Sequence, residues 1–262
     1  GVLSTGGVRT VGKAYELHEN VYRNLRRAGT RSWNEGTGNY GSEIEPEVTD
    51  FLTWVMDQAW APKSGNALEL GCGTGPMLRW LCGRGFTGIG LDVSATAIAL
   101  AREQSRGLPL RFRRTDLCRP LTGGLGTFDL AVDAHCLHCL VNKEDRQGFL
   151  TNAFRLLKPG GVFVVQSMCA PIDRIQCKEA FPGQRVIGGT LHIPAPEGCN
   201  CEGLRRIGAK DWIPTRRIEH WRGILAEVAA AGFELRHFRV TTPCAGEPAG
   251  NLNAVAQRPV RL

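Results

Sequence analysis

The sequence lacks the features that would place the chain in a membrane or in the secretory pathway. No run of apolar residues approaches the roughly 20 that a membrane-spanning helix needs. Residues 1–13 contain no apolar core of the kind found in a signal peptide, and no internal repeat is visible. With 42% hydrophobic and 22% charged residues over a length of 262 residues, the composition is that of an ordinary globular protein. We therefore expect a cytoplasmic protein with no membrane partner.

A long basic stripe is also missing. The formal net charge is +7, but the positive residues are scattered, with small groups at 111–114, 205–206 and 216–217. A nucleic-acid-binding surface would show a longer basic stripe interleaved with aromatic residues. The charge pattern therefore does not favour nucleic acid as a partner.

Cysteine is abundant, with ten residues in the chain. A secreted disulfide scaffold would be shorter and richer in loops. Several of the cysteines lie inside predicted helices or strands, where buried thiols behave as small hydrophobic side chains. We predict that most of them are reduced.

The middle of the chain alternates between short apolar strands and helices, and this order predicts a parallel sheet with helices on both faces. The predicted strands are 67–70, 87–91, 110–114, 128–132 and 162–167, and the helices between them are 76–84, 95–104 and 143–157. A helix at about 216–231 and two strands at 233–240 and 251–258 follow, and an antiparallel pairing of these two strands is plausible. The predicted fold class is α/β, a Rossmann-like, doubly wound, mostly parallel sheet of about seven strands.

The flanking segments have a different character. Residues 14–28 form an amphipathic helix and 30–44 a glycine-rich loop, ahead of a helix at about 47–60. Residues 169–215 have little periodicity. We predict four regions: an N-terminal helical lid segment (1–46), a core (47–168), an irregular cap insertion that carries substrate determinants (169–215), and a C-terminal completion of the core (216–262).

The motif from Glu69 to Gly75, sequence ELGCGTG, follows a strand and opens a helix. Its glycines allow a tight turn and a close approach of a ligand to the backbone. Asp92 lies at the end of the next strand, where an acid can accept hydrogen bonds from a ribose, and Asp116 ends the third strand. Together these residues indicate a nucleoside site. The plainer interpretation is a strand-to-helix turn and unrelated acids at strand ends.

Five motifs resemble those of class I, S-adenosylmethionine-dependent methyltransferases: Glu69–Gly75, GLDVS at 90–94, TDL at 115–117, FDLAV at 128–132 followed by Leu137-His138, and LKPGG at 157–161. The resemblance implies S-adenosyl-L-methionine as the cofactor, with Asp92 on its ribose, and Asp116 and Leu117 framing its adenine. The implied cofactor-binding residues are Glu69, Gly71, Cys72, Gly73, Gly75, Asp92, Val93, Asp116, Leu117 and Asp133. NAD is the competing cofactor, but dinucleotide sites usually have two residues, not one, before the third glycine.

Methyl transfer requires an acceptor held in line with the methyl group, and a base only where the acceptor arrives protonated. The stretch 133–139, sequence DAHCLHC, occupies the expected place after the fourth strand, and Asp133, His135 and His138 are the candidate catalytic residues. A structural, hydrogen-bonded histidine is the alternative for His135. No metal is predicted, because a structural zinc site needs a second ligand pair at a defined distance. The candidate substrate-binding residues are Trp33, Tyr40 and His135.

The family's motif for methylating adenine or glutamine amides, N/D-P-P-Y/F, is replaced here by DAHC at 133–136. A small-molecule acceptor with an oxygen, nitrogen or sulfur nucleophile is therefore the favoured partner. The alternatives are a peptide or RNA, or a thiol or metalloid such as arsenite, which the cysteines at 169, 177, 199 and 201 would suit. A regulator that binds the cofactor without transferring methyl is a third hypothesis. The sequence leaves the oligomeric state open.

Overall fold

A computed structural model describes residues 11–37, 42–242 and 249–260, and in these ranges the chain forms two sheets flanked by helices. The strands are β1 Gly65–Leu70, β2 Phe86–Asp92, β3 Leu110–Arg114, β4 Phe128–Ala134, β5 Leu157–Cys169, β6 Arg185–Ile187, β7 Thr190–Pro194, β8 Arg205–Ile207, β9 Lys210–Arg217, β10 Glu234–Thr241 and β11 Gly250–Gln257. The helices are α1 His18–Arg27, α2 Trp33–Thr37, α3 Pro46–Asp57, α4 Pro76–Cys82, α5 Ala95–Gln104, α6 Lys143–Leu156 and α7 Trp221–Ala230.

The larger sheet has seven strands in the order β10-β11-β5-β4-β1-β2-β3. The five strands from β5 to β3 are parallel, and β11 pairs antiparallel with both β5 and β10. The predicted Rossmann-like fold and the antiparallel terminal pair are confirmed. Between β1 and β4 the order of strands reverses, and open α/β sheets bind ligands at the carboxyl ends of the strands at such a point.

Both faces of the large sheet are covered, as its nearly continuous apolar strands require. On one face, α3, α4 and α5 contribute side chains such as Phe51, Leu78 and Ile98 to a core with the sheet. On the other face, α6 and α7 contribute Phe149 and Ile224. The site is therefore mounted on a rigid three-layer scaffold.

The insertion is more regular than its sequence pattern indicates. Strands β6 to β9 form a second, antiparallel sheet in the order β6-β7-β9-β8. The prediction of an irregular cap up to residue 215, with a helix from 216, was wrong, since β9 continues to Arg217 and α7 starts at Trp221. The overlooked signal is Gly188-Gly189, with φ of 55° and 72°, which is the two-residue turn typical of hairpins.

The N-terminal segment, defined here as residues 11–37, contains a 3₁₀ turn at Ala14–Leu17 and then α1 and α2. It lies against α5, where Tyr22 and Leu25 pack with Ala97. The short helix α2 lies where a loop is predicted. Across the described ranges, none of the helices combines the length and apolar character needed to cross a bilayer.

Candidate functional site

A cavity of about 360 Å³ opens at the carboxyl ends of β1, β2 and β4, where the order of strands reverses. Three parts of the chain enclose it: the core strands, the N-terminal segment and the end of β9. A volume of this size lies within the range of small-molecule sites. The lining includes most of the residues predicted to bind the cofactor, namely Glu69, Gly71, Cys72, Gly73, Asp92, Val93, Asp116 and Leu117.

The glycine turn after β1 is held by backbone hydrogen bonds and by one carboxylate. The N–H groups of Gly71 and Cys72 both donate to the carbonyl of Leu91, and the N–H of Gly73 donates to Asp92 Oδ2 at 2.8 Å. Gly71 has a φ of 72°, and a Cβ there would lie 2.4 Å from Cys136 Sγ. Only glycine satisfies both the backbone angle and the space at this position.

Glu69 and Gly75 support the turn from either side. The buried carboxylate of Glu69 accepts the Leu78 N–H at 3.0 Å, which satisfies one of the free donors at the start of α4. Burial raises the pKa of Glu69 to about 8. Gly75 is not part of the cavity wall. A Cβ there would lie 2.6 Å from the Phe112 ring, so its position indicates a packing role.

Asp92 and Asp116 end neighbouring parallel strands and reach the same cavity. Asp92 is 7% exposed and spans the turn, because its Oδ1 also accepts the Ser94 N–H at 2.8 Å. Burial raises its pKa, against the hydrogen bonds from Ser94 and Gly73. Asp116 accepts the Cys118 N–H at 2.9 Å and the Tyr15 hydroxyl at 3.1 Å.

Asp133 is fully buried and lies behind the cavity wall. Its Oδ1 accepts the Cys136 N–H at 2.7 Å, and its Oδ2 accepts the Leu137 N–H at 3.2 Å. Burial raises its pKa to about 7, although these two hydrogen bonds oppose the shift. The carboxylate therefore organises the 135–139 turn, and the predicted catalytic and cofactor-binding roles of Asp133 find no support in this geometry.

His135 lines the cavity and has a backbone φ of 72°, in the left-handed region that non-glycine residues rarely adopt. Its Nε2 lies 3.4 Å from Glu45 Oε2. Burial lowers the pKa of His135, but the hydrogen bond to Glu45 and the charges of Glu45 and Asp133 outweigh it, so the pKa is raised. A strained residue with a perturbed pKa in a cavity is typical of a functional site.

His138 lies beside it, with the two ring centroids 5.5 Å apart. The Met168 N–H donates to His138 Nδ1 at 3.2 Å, and burial and the charge of Arg216 lower the pKa of His138 well below its usual value. The ring is therefore neutral and carries its proton on Nε2. Arg146, which is 2% exposed, donates to the carbonyls of Leu137 and Leu140 and so fixes this turn from behind.

The N-terminal segment reaches the cavity with Tyr15, His18, Tyr22 and Trp33. Glu19 anchors it by accepting both the hydroxyl and the N–H of Thr96, and the hydroxyl of Ser94, at the start of α5. Burial raises the pKa of Glu19, but these hydrogen bonds prevail and lower it to about 2. The N-terminal segment, which is predicted to be a lid, therefore forms one wall of the cavity.

Arg216, at the end of β9, lines the cavity although the sequence pattern did not single it out. Its Nη1 donates to His18 Nε2 at 3.3 Å and to the Thr215 carbonyl at 2.9 Å. In the sequence it belongs to one of several small groups of arginines, and nothing local separates it from Arg217, which pairs with Glu219. Its position depends on the fold of the insertion.

The other residues singled out in the sequence lie in the cavity wall, away from it, or outside the described residues. Trp33 lines the cavity, whereas Tyr40 lies outside the described residues. The cysteines of the insertion, at 169, 177, 199 and 201, are not part of the cavity wall; those that are part of it are Cys72, Cys118, Cys136 and Cys139. Within the described ranges, no three potential metal ligands come together.

We expect the N-terminal segment to detach more readily in mild acid because of His18. Its Nδ1 donates to the Tyr15 carbonyl at 2.8 Å, so the ring is neutral when Nε2 accepts from Arg216. Burial and the charge of Arg216 lower the pKa of His18 from 6.5 to about 4. The detached segment therefore takes up a proton first, and docking weakens as the pH falls from 6.5 towards 4.

Hydrogen exchange of the amides of residues 14–27, compared at pH 7 and pH 5 after correction for the intrinsic rate, measures this effect. Protection should drop at pH 5 in the wild-type protein and change much less in a His18→Gln variant. Equal pH dependence in the two proteins would contradict the assignment to His18.

The sequence is similar to those of known methyltransferases. Residues 67–161 match the family described as a methyltransferase domain. The chain is 33% identical over 116 residues to the putative methyltransferase YqeM of Bacillus subtilis, covering 44% of this chain and 46% of that protein. It is 32% identical over 151 residues to the 2-heptyl-1-hydroxyquinolin-4(1H)-one methyltransferase of Mycobacteroides abscessus, covering 56% and 59%. The chain spans about half the length of the curated relatives it matches.

The fold has solved counterparts. An S-adenosylmethionine-dependent methyltransferase from Clostridium acetobutylicum superposes with a TM-score of 0.59 at 15% identity, over 94% of this chain and 99% of that one. Residues 67–161 thus match a methyltransferase domain, and the fold is the one found in S-adenosylmethionine-dependent methyltransferases. The predicted family and cofactor class are confirmed.

The wall of the cavity fits this cofactor. Glycines at 71 and 73 leave the backbone open, Asp92 presents a buried carboxylate, and the buried hydroxyls of Thr74 and Thr115 have no hydrogen-bond partner among the described residues. Unpaired buried hydroxyls and an acid are what a ribose and an adenine would engage.

Proposed function

We propose that the protein transfers the methyl group of S-adenosylmethionine to a small-molecule nucleophile. One observation carries the proposal: a single cavity brings the glycine turn and Asp92 together with His135 and His138. Gly71, Gly73, Asp92, Asp116 and their neighbours bind the cofactor on one side. The histidines face the acceptor on the other.

The walls around the cavity favour a small acceptor. The N-terminal segment forms one wall and the end of β9 another, and Glu19 and Arg216 fix these walls to the core and to each other. A peptide or RNA would need an open groove. The related quinolone methyltransferase of M. abscessus acts on a small molecule by its name, which is consistent with the same acceptor class here. A cytoplasmic location accords with this proposal.

When bound, the cofactor supplies a methyl group on a sulfonium centre. Held by Gly71, Gly73 and Asp92, it would give this methyl group to an electron pair of the acceptor and would leave as the neutral thioether, S-adenosylhomocysteine. If the acceptor arrives protonated, that proton goes to His135 Nδ1, because Nε2 faces Glu45, whose carboxylate stabilises the proton held there. His138 Nε2–H orients the acceptor.

A metalloid acceptor has less support. Soft acceptors are held by several thiolates, but the insertion cysteines do not reach the cavity, and burial raises the pKa of Cys72, Cys118, Cys136 and Cys139. These thiols therefore stay protonated at neutral pH and serve as apolar wall.

Incubation with S-adenosylmethionine labelled on its methyl group, in the presence of phenols, carboxylic acids, amines, thiols, arsenite, a basic peptide and RNA, tests the proposal. We expect label on one or more small organic acceptors. His135→Gln should lower the rate about 100-fold for a protonated acceptor while leaving cofactor affinity unchanged.

His220→Gln is the matched control, because His220 caps α7 and is not part of the cavity wall. Label on RNA or peptide alone would favour the alternative acceptors. Cofactor binding without transfer to any acceptor would favour a regulator, and both outcomes would refute the proposal.

A further inference from the structure

Arg216 presents a charge that the described part of the protein does not neutralise. Its side chain is part of the cavity wall. Within 4.0 Å of its guanidinium there is no carboxylate among the described residues, whereas its neighbour Arg217 pairs with Glu219 at 2.7 Å. Cations this close to a cavity normally have a partner, because an unpaired, partly desolvated charge is costly.

The guanidinium is held in place by neutral groups. Nη1 is occupied by His18 and by the Thr215 carbonyl, and the group lies 5.9 Å from the centre of the Trp33 ring. Nε and Nη2 make no hydrogen bond to any residue that the structure describes. This edge of a guanidinium presents two parallel N–H donors, the geometry that binds a carboxylate in bidentate fashion.

The two histidines near Arg216 add no negative charge. His18 accepts from Arg216 and His138 accepts from Met168 N–H, so both rings are neutral and neither offers a negative charge. The acids of the cavity wall have other partners: Asp92 and Glu69 hold the glycine turn, Asp116 accepts from Tyr15, Glu43 pairs with Arg79, and Glu45 faces His135. The end of the cavity at Arg216 is therefore matched to an anion beside an aromatic surface.

We propose that Arg216 binds a carboxylate group of the methyl acceptor, whose apolar or aromatic body lies against Trp33. The inference rests on the proposed function, since it names the acceptor class of that same site. Arg216 acts as a binding group. If the carboxylate itself accepted the methyl group, its negative charge would be lost in the transition state. Arg216 would then stabilise the bound acceptor more than the transition state, which would slow the reaction. The carboxylate at Arg216 is accordingly a handle, and the methyl group goes to another atom.

Benzoate and benzamide test the proposal, because they share a shape and differ in charge. Each is titrated by ligand-observed NMR into the 262-residue protein saturated with S-adenosylhomocysteine. We expect the wild-type protein to bind benzoate about tenfold or more tightly than benzamide, as the loss of a charged hydrogen-bond pair implies. Arg216→Gln should abolish the preference, and Arg216→Lys should retain part of it.

Arg217→Gln is the matched control and should behave as wild type. Equal affinity for the two ligands in the wild-type protein, including no binding of either, would overturn the proposal, as would a preference that survives in Arg216→Gln. A loss of S-adenosylhomocysteine affinity in Arg216→Gln, with the benzoate preference unchanged, would assign Arg216 to the cofactor's own carboxylate and also overturn it. Benzoate preference without methyl transfer to any small acceptor would uphold the anion site and refute the proposed function.

Discussion

Replacing Asp92 with alanine should lower the affinity for S-adenosylmethionine by about 100-fold or more. Two ribose hydroxyls donating to a buried carboxylate contribute about 1.5–3 kcal/mol each, and about 1.4 kcal/mol is a tenfold change in affinity. The same carboxylate accepts the N–H groups of Gly73 and Ser94, so its removal also leaves two buried donors unpaired. The glycine turn then loses the shape that receives the cofactor.

Calorimetric titration with S-adenosylmethionine, S-adenosylhomocysteine and NAD measures the affinities of the wild-type protein and of the variant. Asp92→Asn separates the two contributions, because its one amide oxygen keeps a backbone acceptor and loses the charge. Its affinity should fall between those of the wild-type protein and Asp92→Ala. Asp129→Ala is the control: Asp129 begins β4 at the opposite edge of the sheet, where it pairs with Lys158 at 2.7 Å. Wild-type affinity in Asp92→Ala, or binding of NAD alone, would contradict the assignment of this cavity to the cofactor.

Gly73→Ala should both destabilise the protein and weaken cofactor binding. Gly73 has a φ of 51°, and a Cβ there would lie 2.5 Å from the Tyr22 hydroxyl oxygen. The left-handed backbone costs a residue with a Cβ about 1–2 kcal/mol. The clash adds to this cost by pushing Tyr22, and with it the N-terminal segment, away from the turn. We expect the melting temperature to fall by about 2–8 °C and cofactor affinity to fall by about tenfold or more.

A double-mutant cycle with Tyr22→Phe separates strain from clash. Removing the hydroxyl eliminates the closest contact, so Gly73→Ala should cost less in the Tyr22→Phe background than in the wild-type protein. The residual cost measures the backbone strain. If the two substitutions are additive, Tyr22 does not press on the turn and the docked position of α1 is wrong. Gly107→Ala is the control for strain alone, because Gly107 has a φ of 80° and no atom within 4 Å of its Cβ position.

Sequence reasoning located the residues of the glycine-turn side of the cavity because their signals are local. The glycines of 71–75 are required by the turn itself, and Asp92 and Asp116 come directly after strands whose carboxyl ends must meet in a parallel sheet. The strand and helix pattern from 67 to 168 likewise follows from alternating apolar segments, which need no distant contact to be recognised. The NAD alternative was decided against by the spacing of three glycines and by the family resemblance.

The acceptor side could not be located in this way. The stretch 133–139 is recognisable as a turn near the chemistry, but which side chains face the cavity depends on backbone angles that only the folded turn shows. Asp133 lies behind the cavity wall, where its carboxylate accepts two N–H groups of the turn. His135, which has a positive φ, lines the cavity. The hairpin at Gly188-Gly189 could have been predicted from these two consecutive glycines, but the insertion was predicted to be irregular.

The sequence by itself determined the fold class, the order of most strands and helices, and the residues that form the cofactor turn, because each depends on neighbours within one supersecondary unit. The tertiary structure alone decided that Tyr15, His18 and Trp33 cover the cavity and that Arg216, rather than Arg217, points into it. These residues are separated by up to 201 positions along the chain, and their contacts arise only when the N-terminal segment and the second sheet dock on the same edge of the core. Docking of distant segments is set by packing and charge pairing across surfaces, which a linear pattern does not contain.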